Sequence, residues 1–280
     1  MSSRFVASLL LAVVSSLGAQ RVHLEMRPRG GDTLHMRLDQ TMDIASARRG
    51  ATTTHSMHTA LSMFSRAIVE RAVTSGSVIL AIADSVQVDA DSEAQVLSDE
   101  ARRQIEGQRL RMWLSPDGTV EVLDRQRRLP KEVNDLVSVM PGSFPKEDVA
   151  VGDTWMRVMP VPPAARMGLP LGGAVRVTFR LDSVSASGDV AYVSMHGNLR
   201  QDSESGGDNP PAMSGDLAGN MVMDRRRGWL SESRFLIQVH ALVKAANAAA
   251  GTPPMSFVMK VTQHMLVTNA PTAANPPTRP

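Results

Sequence analysis

Val175-Arg176-Val177-Thr178-Phe179-Arg180-Leu181-Asp182 (VRVTFRLD) alternates apolar and polar residues without an exception. Successive side chains of a β-strand point to opposite faces. A period of two therefore puts Val175, Val177, Phe179 and Leu181 on one side and Arg176, Thr178, Arg180 and Asp182 on the other. A helix would scatter the same apolar groups round its circumference. The stretch reads as a strand that buries one face and wets the other, as in an antiparallel sheet covered on one side only.

The same division recurs on both sides of it. In His35–Ile44 the apolar set is Met36, Leu38, Met42 and Ile44, with Gln40 as the exception, against His35, Arg37, Asp39, Thr41 and Asp43. In Met255–Val267, Met255, Phe257, Met259, Val261, Met265 and Val267 oppose Ser256, Lys260, Thr262 and His264. Turn signals punctuate the chain at Thr74-Ser75-Gly76-Ser77, Pro116-Asp117-Gly118, Ser187-Gly188-Asp189 and Arg227-Gly228. About ten or eleven strands are expected on this pattern. Residues 57–73 would also place Met57, Leu61, Phe64 and Ile68 on one helical face, but their Thr, His and β-branched neighbours and a closing Gly76 favour a long strand.

Helices are few. Ser92–Glu106 has a polar start and good helix formers, with Gly107 to stop it. Lys131–Met140 lies between Pro130 and Pro141 and carries Val133, Leu136, Val137 and Met140 on one stripe. Gln201–Gly215 and Ala245–Pro254 read as loops. Asn269–Pro280, with four prolines and no apolar period, reads as a disordered tail. The turn glycines Gly76 and Gly188, and then Gly118 and Gly228, recur in the same order. The expected single domain, residues 20–268, is thus either an internal duplication (33–141 and 142–268) or a regular meander.

The chain has 280 residues, of which 42% are hydrophobic and 21% charged, an ordinary composition for a globular protein. It has no cysteine, which excludes disulfides, thiolate metal sites, cysteine nucleophiles and a lipobox acyl anchor. Its pI near 9.4 does not mark a polyanion binder. Formal net charge is only +2, and one Tyr with no Cys leaves little to titrate between His and Lys. Aromatic residues make up 4%, too few to interleave with basic clusters as a nucleic-acid stacking surface requires.

Met1–Arg4 is a short positive segment, Phe5–Val14 an apolar run, and Ser15–Ala19 supplies small residues. This is the layout of a secretory signal peptide over residues 1–19, with cleavage expected after Ala19. The run is too short to span a bilayer, and no other stretch approaches the required length. The expected location is the periplasm or the exterior, as a soluble monomer with no transmembrane segment after cleavage.

Phe144-Pro145-Lys146-Glu147-Asp148-Val149-Ala150-Val151-Gly152-Asp153-Thr154-Trp155 joins the halves. Phe144-Pro145 enforces extended backbone, Val149 and Val151 are expected to alternate into a core, Gly152-Asp153 to turn, and Trp155 to plug the start of a strand. This FPxxxVxVGDTW segment, with the Ser-Gly-Asp hairpin after it, resembles a family of exported bacterial β-rich proteins and lipoproteins built on a domain of unknown function. That family is distantly similar to the lipoprotein-carrier (LolA-type) superfamily. The resemblance implies an all-β half-barrel with helices over its open side, holding acyl chains, and makes Val151, Gly152, Asp153 and Trp155 structural motif residues. It implies no catalytic residue, cofactor or metal.

Other patterns dissolve on inspection. Ser143-Phe144-Pro145-Lys146 matches S-x-x-K, but that chemistry needs helix, which Pro145 opposes, and no K-T-G or S-D-N accompanies it. His55 and His58 on a strand point to opposite sides. Asp89, Asp91 and Glu93 lack the glycine and the bidentate glutamate of a calcium loop. Arg125–Lys131 and Arg225–Arg227 read as solvated turns. Methionine is abundant, 18 residues; it reads first as filler for a core short of Phe and Tyr, and second as a flexible lining for an irregular cavity.

The expectation is an all-β protein: one curved antiparallel sheet, or half-barrel, with one or two short helices. It would be a non-enzyme without cofactor. Its concave apolar face, lined by Met36, Met42, Phe179, Met255, Phe257, Met259 and Met265, would bind a hydrophobic ligand such as an acyl chain or lipoprotein. The alternative is a structural or interaction module of the cell envelope with a filled core, partnered by envelope proteins. A hydrolase is the least favoured reading.

Overall fold

The computed structural model describes residues 21–48, 54–91, 102–123, 143–161, 173–200, 212–243 and 255–268. The signal segment 1–19, the helix expected over Lys131–Met140, the loop of residues 245–254 and the tail 269–280 lie outside the described residues. Of the helix expected to end at Glu106, residues 102–105 form a helical turn, which Gly107 ends with φ of +75°.

Eleven strands form one antiparallel sheet. They are β1 (Thr33–Arg48), β2 (Thr54–Val73), β3 (Gly76–Ala90), β4 (Arg109–Leu114), β5 (Val120–Val122), β6 (Thr154–Val161), β7 (Gly173–Val184), β8 (Val190–Arg200), β9 (Ala212–Asp224), β10 (Trp229–Val243) and β11 (Met255–Thr268). The sheet order is β5-β4-β3-β2-β1-β11-β10-β9-β8-β7-β6. Each strand therefore pairs with its neighbours in sequence, and the first strand pairs with the last at the centre. The ring of pairings is open only between β5 and β6, which makes a curved half-barrel. Residues 57–73 lie in the twenty-residue strand β2, so the tertiary pairings decide their period.

Register assigns the faces. Met36 opposes Val267 and Ser65, Ile44 opposes Met259 and Met57, and Val239 opposes Met259 and Gly215. Every apolar set read from the alternation falls on this one inner face. Ala212–Gly215, expected in a loop, belongs instead to β9, where Met213 pairs with Ala241 and Gly215 with Val239. Gly215 is there for close approach and not for a turn: a Cβ on it would collide with the Gln238 carbonyl of β10.

The tight turns gather at one end of the sheet. Gly76, Gly118, Gly188 and Gly228 all have positive φ in these turns. Across this turn end runs an extended strap, residues 21–28, whose Val22, Leu24, Met26 and Pro28 are buried while Arg21, His23 and Arg27 are exposed. Its backbone bonds to Val149 in both directions, at 2.8 and 3.0 Å. Met26 N donates to the Pro116 carbonyl in the β4–β5 turn at 2.7 Å, and Arg27 N to Gly228 O in the β9–β10 turn at 2.8 Å. The strap thus ties the two wings of the sheet together. Its buried side chains join Phe144, Val149 and the inner faces of β7 to β10 in one core.

A Cβ at Gly228 would collide with the backbone of Arg27. Gly228→Ala is expected to cost about 1–3 kcal/mol in urea unfolding and to expose Arg27 and Arg29 to trypsin. Gly30→Ala, whose added methyl meets only Ala72 N at 3.7 Å, should do neither.

Candidate functional site

The inner face differs from one wing to the other. On β7 to β9 it is filled: Val175, Val177, Phe179, Leu181, Ala191, Val193, Met195, Leu199, Leu217, Met221 and Met223 are all buried, as are Val239 and Ala241 of β10, whereas Ser233, Phe235 and Ile237 of β10 are half-covered. On β11, β1 and β2 it is largely apolar, and it is only half-covered beyond the buried Ser65, Ala67 and Val69 of β2. Met36, Leu38, Met42, Met57, Leu61, Met63, Met255, Phe257, Met259, Val261, Met265 and Val267 are all of intermediate exposure, with Leu34 and Ile44 buried among them. Met42 lies opposite Val261, Leu38 opposite Met265, and Met36 opposite Val267.

Of the residues expected to line a cavity, Met36, Met42, Met255, Phe257, Met259 and Met265 come together on the facing strands β1 and β11. Phe179 does not join them. It is 0% exposed on β7 and stacks on Trp155 with ring centroids 5.7 Å apart and planes 10° apart. Alternation reveals which face a side chain takes, but not which wing of the sheet it occupies.

The motif residues hold the β6 edge. Trp155 caps Phe179, and its Nε1 donates to the Ser143 carbonyl at 2.7 Å. The Gly152 amide donates to Leu181 O at 2.7 Å, and Gly152 takes φ of +94°. Asp153 accepts from Ala150 N through its carboxylate at 2.9 Å and from Leu181 N through its carbonyl at 3.1 Å. Val149 is buried, but Val151, expected beside it in the core, is 52% exposed. The turn at residues 151–152 breaks the alternation before it reaches Val151. Ser143 and Lys146 lie in irregular backbone, not on a helix.

The outer face carries charge. Arg37 donates to Asp39, Arg66 to Asp84, Arg111 to Glu70 and Arg234 to Glu232. Leu242, Val258 and Leu266 are scattered exposed among these groups. His58 is on this face and His55 on the inner one, since they pair with Asp43 and Ser46 respectively. His58 Nδ1 lies 2.6 Å from Asp43 Oδ1, and its backbone N–H donates to Asp91 Oδ2 at 2.7 Å. The Asp43 hydrogen bond raises the His58 pKa, with Asp91 and Asp89 adding to it. Burial raises the Asp39 carboxyl, but hydrogen bonds from Arg37 and Ser62 outweigh it and hold the net value low. The Arg111 hydrogen bond lowers Glu70. Among the described residues no three His, Asp or Glu side chains group as a metal site. Arg225, from one of the two basic clusters, is spent on backbone carbonyls of Gly188 and His23. Arg125–Lys131 falls outside the described residues, apart from which Arg227 pairs with Asp224.

A cavity of about 400 Å³ opens at the turn end, lined by His23, Leu24, Glu25, Ser75, Ser115, Pro116, Asp117, Thr119, Pro145 and Lys146. Its lining mixes polar and apolar groups, and it lies at the turn end, with none of the trough methionines in its wall. The strap that walls it was not anticipated, although Val22, Leu24 and Met26 alternate with His23, Glu25 and Arg27 and could have revealed it.

No family model and no curated protein matches the chain. Among solved structures, one of lipovitellin, described in terms of lipid–protein interactions, superposes with a TM-score of 0.53 at 8% identity. The alignment covers 89% of this chain and 26% of that one, so this chain spans about a quarter of lipovitellin's length. The likeness is one of fold. The Pseudomonas aeruginosa channel OccK11 aligns over 88% of this chain and all of its own at 6% identity, but with a TM-score of 0.26. DynF of Micromonospora chersina, at 8% identity over 97% and 96% of the two chains, reaches 0.24. Neither score places the two proteins in one fold. No described helix is long and apolar enough to cross a membrane.

The His58–Asp43 pair yields a pH test. Because the folded-state pKa of His58 is raised, its contribution to stability is complete below about pH 6.5 and fades as pH rises through the raised value. Asp43→Asn should bring the His58 midpoint, followed by NMR titration of the ring, back toward 6.5. An unmoved midpoint would show that the two side chains do not pair in solution.

Proposed function

We propose that this protein is a non-catalytic, exported binding protein that holds a hydrophobic ligand against the inner face of β11, β1 and β2. One observation carries the reading: a sheet whose β7–β9 wing is a filled core leaves the face of β11, β1 and β2 largely apolar, methionine-rich and half-covered. Apolar surface left to water forgoes about 25 cal/mol per Å², and unbranched methionines adapt their shape to whatever covers them. The fold shared with lipovitellin, a protein described by its lipid–protein interactions, supports this reading. The resemblance of the FPxxxVxVGDTW segment to a family of exported bacterial β-rich proteins supports an envelope setting. A ligand-free envelope module, the second reading, draws on the filled wing.

Solvent extraction of the purified protein is expected to release lipid, and the delipidated protein to bind a long-chain apolar fluorophore at one saturable site. Val261→Arg, which puts a charge in the trough, should weaken binding at least tenfold, whereas Lys260→Ala on the outer face should not change it. Absence of both lipid and fluorophore binding would leave the envelope module as the better account.

A further inference from the structure

Gln40 and Gln263 interrupt the trough at one level. They are cross-strand partners on β1 and β11, flanked in the same row by Leu61 of β2 and Phe235 of β10. The row on one side holds Thr59, Met42, Val261 and Ile237, and the row on the other Met63, Leu38, Met265 and Ser233. Both glutamines are half-buried, and among the described residues neither side-chain amide has a hydrogen-bond partner. Each presents two donors and an acceptor into a surface whose neighbouring rows are apolar at the centre, with Thr59 and Ser233 only at their margins. Water can serve them while the trough is open. An apolar ligand laid over them would strip that water and leave both amides unmatched.

Charge on the inner face is sparse. Among residues whose side chains are described, His55 lies six positions along the strands from the glutamine row, about 20 Å away. Arg157, on β6, is spent on the carbonyls of Phe144 and Met156. No cation waits beside Gln40 and Gln263 to offset a carboxylate or phosphate. Apolar rows continue in both directions, through Ile44 and Met259 on one side and Met36 and Val267 on the other.

From this juxtaposition, and resting on the hydrophobic-ligand reading, we infer that the ligand is an uncharged amphiphile: an ester or amide with an apolar chain on each side of it. The glutamine pair acts as the specificity determinant that fixes its register, donating to the ligand carbonyl and, for an amide, accepting its N–H. Above and below that bond the methionine rows hold the chains.

The test is displacement of a bound apolar fluorophore from the delipidated full-length protein. The competitors are hexadecane, octyl octanoate, N-octyl octanamide and palmitate. The ester and the amide should bind at least tenfold more tightly than the hydrocarbon and than the carboxylate. In Gln40→Leu/Gln263→Leu, a near-isosteric pair, that preference should vanish while hexadecane binds as well or better. Equal affinity of ester, amide and hydrocarbon for the natural protein would overturn the inference, with or without a folded variant. So would tighter binding of palmitate, or a preference that survives the double substitution. Failure of every competitor and of the fluorophore would instead remove the trough reading on which the inference rests.

Discussion

The burial of Val22, Leu24 and Met26 between the two wings is the contact on which the sheet's shape depends. A meander of eleven strands has no intrinsic reason to stay curled, because its pairings run only between neighbours. Curling demands a contact between strands far apart in the order, and the strap supplies it. One end of residues 21–28 bonds to Val149, which the following turn connects to β7, and the other reaches the β4–β5 and β9–β10 turns. The strap's apolar side chains complete the core at that end, so its loss would both expose them and free the wings. The edges need managing as well, since unpaired strand edges recruit other chains. β5 is three residues long, and β6 is bonded along its start by the carbonyls of Ser143 and Phe144.

With the turn end braced, the rest of the molecule divides by burial and not by composition. The β7–β9 wing spends its apolar face on a packed interior anchored by the Trp155–Phe179 stack. The β11, β1 and β2 face is largely apolar and has the same pairing, yet remains partly accessible. The charged outer face sets which side meets water, and the two glutamines set the polarity along the trough. The filled wing, the methionine-rich face and the glutamine level are each traceable to alternate residues on particular strands.

Much of this was legible from the residues. VRVTFRLD and its counterparts decide strand over helix because a period of two has no other stable reading, and every apolar set they nominate lies on the inner face. Gln40 stood out as the break in its own strand, though only register reveals that it faces Gln263. What was illegible is what depends on distant contacts. Phe179 has the local pattern of the trough methionines, yet its neighbours β6 and β8 bury it. Val151 continues an alternation that the backbone has already abandoned at Gly152. Gly215, read as a loop glycine, is a strand glycine because β10 passes too close for a side chain.

The central pairing of β1 with β11 has a consequence for how the chain is made. Ser256 bonds to the Ala47 carbonyl across a separation of 209 residues, and Thr268 to that of His35 across 233. The middle of the sheet therefore waits for the last strand to be synthesised, and long-range β pairing of this kind forms slowly. Until β11 arrives, β1 presents a bare strand edge in the centre of an unfinished sheet, which is the form most prone to wrong partners. A polypeptide so ordered completes its sheet only when its last strand is released.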